Sequence, residues 1–384
     1  MARNYDVVVA GGSVSGLLAA REIASSGYEV IVLEEDYEIG TPEHCGGLVS
    51  IKALKDLGII PSSKSVICNV NEAKIMSASN SFDISAVNEN IVVLDRRDFD
   101  KQLAFQAQKE GAEIVTKYRV TSSQRKDSKY LVKSNQSDFL CDIFIDARGI
   151  SSIIQQNRIG VLQSAQYEIY ADWLNNNQII VQFDTSKYPD FFAWVIPMSN
   201  GKAKIGVAGR KINSVKVLED FIKTLGDKYS IIRKIYAPIW IGGPLKKFIF
   251  DKTVVVGDAA GQTKPTTAGG IYSCGMGGIL AGKSISRYLD TCDITNLYIY
   301  ENDWNSIFQK EFNKMLFFRK MLSRLDNTSL DKIFSVVSES DLSTISKNAS
   351  FDFHSLAISK ILGAKGIIKI LNTLVGNEMR HIMN

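Results

Sequence analysis

Near the start of the chain, one short segment has the residue types and spacing that could hold a pyrophosphate: Gly11-Gly12-Ser13-Val14-Ser15-Gly16. Glycines permit a tight turn and let the bare N–H groups of a helix N-terminus approach an anion. Gly11 supplies the turn and Gly16 the close helix–strand contact, while Ser13 stands at the middle glycine of a G-x-G-x-x-G pattern. The segment predicts a dinucleotide site with an imperfect fingerprint.

An acidic residue is placed to complete this site. Glu34 follows Gly11 by 23 residues, where a carboxylate can accept hydrogen bonds from ribose hydroxyl groups. We include the adjacent Glu35 in the predicted site. The alternative is a chance glycine turn followed by a solvated strand end, Glu34-Glu35-Asp36. The strand–turn–helix–strand frame around the segment favours the dinucleotide interpretation.

A second segment is specialised for close backbone approach. Residues 257–278 contain seven of the 28 glycines and follow the apolar run Thr253-Val254-Val255-Val256, which is typical of a buried strand. Residues 5–34 in turn predict a strand, a crossover helix and a second strand. Strands that alternate with helices favour a parallel sheet covered on both faces.

The middle of the chain has a different pattern. Strand-like runs at 178–183, 191–197 and 203–208 are followed by a single helical stretch, 215–225. Asn200-Gly201 between two of the runs is a strong hairpin signal, since both turn positions need positive φ. These residues predict an inserted, largely antiparallel sheet.

We therefore expect an α/β protein. A Rossmann-like domain would be formed by residues 1–164 and 246–290, a substrate domain by 165–245, and a helical region by 291–384. The stretch Ser355–Val375 predicts an amphipathic helix, which would pack on the body or meet lipid head groups. Its alternating apolar and basic residues are Ile358, Lys360, Ile361, Leu362, Lys365, Ile368, Lys369 and Leu371.

Composition narrows the classes of protein. The 384 residues are 45% hydrophobic and 22% charged, as in folded globular proteins. A net charge of +4 gives no reason to expect nucleic acid as a partner, and three scattered histidines and five scattered cysteines give none to expect a metal. With no signal-peptide pattern and no apolar run of about 20 residues, we expect a cytoplasmic location, with contact at the inner membrane face left open.

Four motifs, in order, resemble those of flavoproteins with a p-hydroxybenzoate-hydroxylase-like fold. The first is the glycine turn at residues 11–16, and the other three are Asp95-Arg96-Arg97-Asp98-Phe99-Asp100, Asp146-Ala147-Arg148-Gly149 and Val256-Gly257-Asp258-Ala259-Ala260-Gly261. The resemblance implies FAD as the cofactor, with Arg96 near it and Asp258 on its ribityl chain. It also implies that Ala259, Gly269, Gly270 and Ile271 lie beside the pyrophosphate and flavin.

Three further segments are similar to the geranylgeranyl reductase family: Glu43-His44-Cys45-Gly46-Gly47, Phe192-Ala193-Trp194-Val195-Ile196-Pro197-Met198 and Ile241-Gly242-Gly243-Pro244. The first resembles a loop that approaches the flavin and the second a substrate-cavity motif. The resemblance covers about residues 5–290. It implies that reduced FAD saturates C=C bonds in the isoprenoid chains of a polar lipid by hydride transfer.

The resemblance also implies roles for single residues. Cys45 and Trp194 would act in catalysis, and Cys45, Gly46 and Gly47 would contact the flavin. Phe192, Trp194, Ile196 and Pro197 would line the substrate cavity. The family's motif has tyrosine, phenylalanine and lysine where this chain has Phe192, Ile196 and Met198. The cavity would thus keep its apolar wall and lose a hydroxyl group and a cation.

Several alternatives stay open from the sequence. Trp194 and Cys45 could be ordinary core residues, and Cys45, Tyr272 or an ordered water could donate the proton. Electrons could come from NAD(P)H or from ferredoxin. The same fold also serves flavin monooxygenases and halogenases, whose W-x-W-x-I-P motif Phe192–Pro197 half matches. A reductase of polyprenyl quinone side chains and a non-catalytic flavoprotein are further readings.

Overall fold

The computed structural model describes residues 2–152, 154, 159–174, 177–337, 339–348 and 350–361. In chain order, the strands are β1 (Arg3–Ala10), β2 (Val30–Leu33), β3 (Leu48–Ser50), β4 (Val66–Val70), β5 (Glu72–Met76), β6 (Ser81–Ser85), β7 (Ile91–Leu94), β8 (Glu113–Val115), β9 (Val120–Lys126), β10 (Lys129–Ser134), β11 (Asp138–Asp146), β12 (Val161–Tyr170), β13 (Gln178–Gln182), β14 (Ala193–Met198), β15 (Lys202–Gly209), β16 (Ser230–Tyr236), β17 (Ile239–Trp240), β18 (Ile249–Phe250) and β19 (Thr253–Val255).

The helices lie between these strands and after them. They are α1 (Val14–Ser25), α2 (Ile51–Asp56), α3 (Arg96–Lys109), α4 (Ser214–Leu225), α5 (Ile271–Thr291), α6 (Leu297–Leu322), α7 (Asn327–Phe334) and α8 (Glu339–Asn348). Single turns of 3-10 helix occur at Val87–Glu89, Gly149–Ser151, Gly257–Ala260 and Ile294–Asn296.

The first sheet carries the nucleotide-binding frame. Its strands run in the order β18-β19-β11-β1-β2-β8. In addition, β10 pairs with β11 and β9 pairs with β10. Strand β1 pairs in parallel with both β2 and β11. The last four residues of β1 and all of β2 are buried, as expected for strands covered on both faces. The predicted strand–helix–strand unit and the α/β fold class are confirmed.

The second sheet has the order β16-β12-β15-β14-β13-β5-β6, with β17 also paired to β12. All its pairings are antiparallel except that of β13 with β5. Asn200 and Gly201 have φ values of 62° and 69° in the turn from β14 to β15, so the predicted hairpin is confirmed. Strands β5 and β6, which complete this sheet, come from residues 72–85 and so lie outside the predicted span of 165–245. They join the sheet because β5 pairs with β13.

The two faces of the second sheet differ in character. Helix α4 covers one face, where Ala193, Val195 and Ile205 are buried with Leu218 and Phe221. Because side chains alternate along a strand, Trp194, Ile196 and Lys204 lie on the opposite face. We call this second surface the Trp194 face.

The C-terminal helices α6 and α7 pack against both the main core and the second sheet. Trp304, Phe308 and Phe312 of α6 join the main core, while the end of α6 and α7 pack against Phe82 of β6. Residues 355–361 are helical, and the remainder of the predicted helix 355–375 lies outside the described residues. Among the residues described, no helix is both long and apolar enough to cross a bilayer.

Candidate functional site

The glycine turn, residues 11–16, lies at the end of β1 and is too close to its neighbours for side chains. Gly11 has a φ of 111°, and a Cβ there would overlap the carbonyl group of Ala147. A Cβ at Gly16 would overlap the carbonyl oxygen of Gly11. Ser13 is the N-cap residue of α1, but its side chain makes no capping bond, and the first turn has no acidic residue. The turn thus places backbone without side chains beside the N-terminus of α1, whose partial positive charge no capping side chain neutralises.

Glu34 lies at this turn and Glu35 does not. The Glu34 carboxylate accepts hydrogen bonds from the N–H groups of Gly12 at 2.6 Å and Asp36 at 3.0 Å. Burial raises the pKa of Glu34 above its usual range. Glu35 is exposed and forms an ion pair with Arg119 at 2.9 Å. The structure therefore brings only the first of these two carboxylates to the turn.

The second glycine segment meets the first. Gly257 has a φ of 69°, and a Cβ there would overlap the Ser15 hydroxyl group. On α5, a Cβ at Gly278 would overlap the backbone of Ser15. The two helices therefore pack in close contact through the first turn of α1, and Asp258, which follows Gly257, lies in the same region.

The start of α5 is built around Asp258. Its carboxylate accepts hydrogen bonds from the Thr263 hydroxyl and, at 3.4 Å, from the Cys274 thiol. Burial raises the pKa of Cys274 well above its usual range, so the thiol stays a neutral donor. A Cβ at Gly270, the N-cap residue of α5, would lie 3.4 Å from Asp258 Oδ1. Gly269 precedes this N-cap, while the side chains of Ala259 and Ile271 are buried in the core.

Arg96 connects the glycine turn with the cysteine loop, residues 43–47. Its guanidinium binds Asp100 through Nε at 3.0 Å and Nη2 at 2.9 Å, and Nη2 also lies 3.4 Å from Ser13 Oγ. Burial opposes the charge, yet the ion pair with Asp100 holds the pKa of Arg96 above its usual range, and the Cys45 side chain lies beside the guanidinium. Arg96 is therefore a permanent buried cation at the junction.

Glu43 is the centre of a buried charge cluster at the base of the cysteine loop. Its carboxylate accepts a hydrogen bond from the backbone N–H of Arg96 at 3.2 Å. It also forms ion pairs with Lys204 at 2.5 Å and with Arg233 at 3.4 Å. The motif that contains Glu43 assigns it no role, and no motif contains Lys204 or Arg233. The only sequence signal is a lysine inside the otherwise apolar run Ala203–Ala208.

The cysteine loop rests on the Trp194 face. Lys204 Nζ donates to the carbonyl oxygens of Cys45 at 3.3 Å and Gly46 at 3.5 Å. The Gly47 N–H group donates to Cys45 Sγ at 3.4 Å. A Cβ at Gly46 would lie 2.6 Å from Ile196 Cδ1, so the loop backbone packs closely on the sheet here. The loop thus lies between the glycine turn, reached through Arg96, and the second sheet.

The Trp194 face is apolar around Trp194 and Ile196, whereas Lys204 and Glu168 give it charged neighbours. Trp194 Nε1 donates to Gln166 Oε1 at 3.0 Å, and the indole covers Gly206, where a Cβ would overlap the ring. Phe192 stacks on Phe191 with ring centroids 4.1 Å apart. Pro197 lies on the other face of β14, because it alternates with Ile196. Of the four predicted cavity residues, the structure therefore brings three to one surface.

The segment Phe351–Ser355, which leads into the last described helix, covers this surface. Phe351 packs in the same apolar cluster as Trp194 and Ile196. Lys264 Nζ donates to the Phe351 carbonyl oxygen at 3.0 Å, and His354 Nε2 lies 2.5 Å from Thr266 Oγ1. Burial lowers the pKa of His354 to about 3, so its ring is neutral at physiological pH. The sequence separation of more than 80 residues hides these contacts.

These features fit a flavin dinucleotide. Bare backbone and an uncapped helix end suit a pyrophosphate, Glu34 suits ribose hydroxyl groups, and Asp258 lies where the two glycine segments meet. In the described part of the chain, no group of three or more His, Cys, Asp and Glu residues could hold a metal ion. The class of protein that this fold and site define is the FAD-dependent oxidoreductase.

Comparisons with known proteins narrow that class. No family model matches the chain. Digeranylgeranylglycerophospholipid reductase 2 of Methanothermobacter thermautotrophicus is 28% identical over 89% of this chain and 94% of that protein. The digeranylgeranylglycerophospholipid reductase of Methanococcus vannielii is 26% identical over 97% and 98%, respectively. An uncharacterized protein of Methanocaldococcus jannaschii is 29% identical over 94% and 96%.

Solved structures show the same fold. A geranylgeranyl bacteriochlorophyll reductase-like protein from Thermoplasma acidophilum superposes with a TM-score of 0.85 at 22% identity, covering 98% of this chain and 100% of that one. A flavin-dependent brominase superposes with a TM-score of 0.65 at 16% identity, with the same coverage. The resemblance that the motifs indicated, to geranylgeranyl reductases on a flavoprotein fold, is confirmed over most of the chain.

Proposed function

We propose that this protein binds FAD and uses the reduced cofactor to saturate C=C bonds in the isoprenoid chains of a polar lipid. The observation that carries the proposal is the position of the cysteine loop. Arg96 ties the loop to the glycine turn, and Gly46 rests on Ile196 of an aromatic, apolar surface. A flavin held by the turn and an apolar chain held by the Trp194 face would meet at this loop.

The contacts support a set of cofactor-binding roles. The N–H groups of Ser13 and Ser15 at the start of α1 would bind the pyrophosphate, with Gly11 and Gly16 allowing its approach, while the Gly12 N–H group holds Glu34 beside the site. Glu34 would accept hydrogen bonds from a ribose, and Asp258 would bind the ribityl chain. The backbone at Gly269 and Gly270, with Ala259 and Ile271 holding it in place, would face the flavin end.

The protein's part in the reaction is placement, exclusion of water and a proton. Bound FAD, once reduced, supplies the hydride. Trp194, Phe192 and Ile196 would hold an isoprenoid chain by shape, since such a chain offers nothing to hydrogen-bond except its head group. Phe351 would keep water from this surface.

The proton would come from Cys45 or from an ordered water beside it. Cys45 Sγ accepts the Gly47 N–H group and lies next to the Arg96 guanidinium, so the side chain is held in one place beside the proposed flavin site. Tyr272, the third candidate, donates its hydroxyl hydrogen to Asp56 at 3.1 Å. That bond commits the Tyr272 hydroxyl to another partner, so we favour Cys45.

Donor and location are part of the proposal. Electrons would come from NAD(P)H bound transiently or from ferredoxin. All five cysteines are free thiols, which suits a reducing, cytoplasmic compartment. Because the substrate would be a membrane lipid, we propose contact with the inner face of the membrane rather than insertion.

A flavin monooxygenase or halogenase is the second candidate, favoured by the brominase of the same fold. The test is anaerobic. The protein is purified, its flavin identified, reduced with dithionite and mixed with a geranylgeranyl phospholipid, and the lipid is analysed by mass spectrometry. Gains of two hydrogens per double bond are expected. Reduced flavin that does not react with the lipid, but is reoxidised by oxygen in the presence of an aromatic substrate, would favour the second candidate.

A further inference from the structure

We infer that Lys204, held by Glu43, is a positioning residue that sets the conformation of the cysteine loop. Nothing in the sequence motifs or in the relatives' names points to this lysine. The inference rests on the proposed function only in that the loop is taken to face the flavin. The contacts that carry it belong to the chain alone.

Lys204 is fully enclosed and uses its ammonium group completely. Its side chain is 1% exposed, and an ammonium has three N–H donors. The three acceptors are Glu43 Oε1 at 2.5 Å, the Cys45 carbonyl oxygen at 3.3 Å and the Gly46 carbonyl oxygen at 3.5 Å. Two of the three donors are thus spent on the backbone of one loop.

The sheet holds Lys204 in this place. Ile196, Lys204, Glu168 and Arg233 are successive cross-strand neighbours on β14, β15, β12 and β16. Arg233 lies 3.4 Å from Glu43 and 3.6 Å from Glu168, so the row alternates in charge. A rigid sheet therefore fixes the ammonium, and the loop is the part that adjusts to it.

The contacts also determine which way the loop's N–H groups point. In a trans peptide the N–H group is directed opposite to the C=O group. Since the carbonyl groups of Cys45 and Gly46 face Lys204, the N–H groups of Gly46 and Gly47 are directed away from the sheet. The Gly47 N–H group reaches Cys45 Sγ at 3.4 Å. Lys204 thereby presents the thiol and these N–H groups on the side away from the second sheet.

Two single variants distinguish the hydrogen bonds from Lys204 to the loop carbonyl groups from the ion pair between Lys204 and Glu43. Glu43→Gln and Lys204→Met both break the ion pair, but only Lys204→Met removes the donors to the loop carbonyls. The readout is the rate at which N-ethylmaleimide alkylates Cys45 in the full-length protein as purified, followed by peptide mass spectrometry. Exposed Cys292 serves as the internal reference, and fully buried Cys141 reports global unfolding.

We expect Lys204→Met to raise the Cys45 rate, relative to Cys292, about tenfold, equivalent to about 1.4 kcal/mol of local opening. Glu43→Gln should raise it about threefold or less, because a lysine facing glutamine still donates to both carbonyl groups. Equal rates in the two variants, or no change in either, would overturn the inference. Labelling of Cys141 would reveal unfolding.

The double variant keeps the test decisive if Lys204→Met fails to fold. Glu43→Gln with Lys204→Met removes both charges together, so no unpaired charge stays buried. Cys45 should react about tenfold faster in the double variant than in Glu43→Gln alone, and an equal rate would contradict the inference. Neither lipid nor turnover enters the assay. Failure of the proposed reductase activity and failure of this inference are therefore separately visible.

Discussion

The two ends of the proposed site are built in different ways. At the glycine turn, bare backbone and one carboxylate come from residues 11–34, all within a single strand–helix–strand unit. At the cysteine loop, the surroundings come from side chains far apart in sequence, including Arg96, Trp194, Lys204 and Phe351. The first end depends on where side chains are missing, and the second on where they converge.

The largest effect is expected at the glycine turn, where a single added methyl group should disrupt FAD binding. Gly11→Ala places a Cβ against the Ala147 carbonyl group and forces alanine to a φ of 111°. We expect near-complete loss of bound FAD, by about 1000-fold or more in affinity, since the turn must shift. Flavin-to-protein ratio after purification and FAD titration measure it.

Gly27→Ala is the matched control for that change. Gly27 has a φ of 88°, yet nothing lies within 4 Å of an added Cβ. Alanine there carries the same kind of backbone strain, about 1–2 kcal/mol, without any overlap. Gly27→Ala should lower thermal stability slightly and keep its flavin. Equal flavin loss in both variants would mean that backbone strain, and not overlap with the Ala147 carbonyl group, explains the effect at Gly11.

At the side-chain-built end, Trp194→Ala tests the apolar wall. We expect turnover with an isoprenoid lipid to fall about 100-fold, because the chain loses its positioning surface, while flavin content stays unchanged. Trp173→Ala is the control, since Trp173 packs on the α4 side of the second sheet. If Trp194→Ala strips the flavin or unfolds the protein, the indole is a structural residue.

Glu34 and Glu35 provide a comparison between adjacent carboxylates. Glu34→Ala removes the acceptor beside Gly12 and should weaken FAD binding about 30-fold, in the range of a hydrogen bond to a charged group. Glu35→Ala removes only an exposed ion pair with Arg119 and should bind FAD normally. Undiminished affinity in Glu34→Ala would exclude this residue from the site.

His354 gives the smallest effect, in the dependence of stability on pH. Its pKa is about 3 in the folded protein and 6.5 for the free side chain, so the unfolded chain binds the extra proton first as pH falls. Between pH 7.5 and 5.5 this linkage should cost about 1.4 kcal/mol of unfolding free energy. Urea unfolding of His354→Gln should lack that decrement, and exposed His44→Gln should retain it. Parallel curves for wild type and His354→Gln would contradict the buried neutral ring.

The contrast between the glycine turn and the cysteine loop also explains which features can be predicted from the sequence. The parallel frame, the Asn200-Gly201 hairpin and the residues of the glycine turn could be predicted because each depends on local pattern. Strands β5 and β6 could not, since their place in the second sheet is set by pairing with β13. Lys204 and Phe351 were missed for the same reason, as their contacts exist only after the sheets and C-terminal helices assemble.

Two predicted residues mark the limit of motif reasoning. Glu35 is next to Glu34 and Pro197 is next to Ile196, yet each points away from its neighbour's surface. Glu35 is included as the neighbour of Glu34, and Pro197 as part of a motif taken over as a whole segment. Alternation along β14 separates Pro197 from Ile196, whereas Glu35 is recognised only from its exposed ion pair with Arg119.

The most direct test of the whole account follows reduced flavin and lipid together in one anaerobic reaction. Enzyme-bound FAD is reduced, excess reductant is removed, and a geranylgeranyl phospholipid is added while the flavin spectrum is recorded. The account predicts that flavin reoxidises without oxygen and that one C=C bond is saturated for each flavin oxidised. Flavin that stays reduced beside the intact lipid until oxygen is admitted would contradict it.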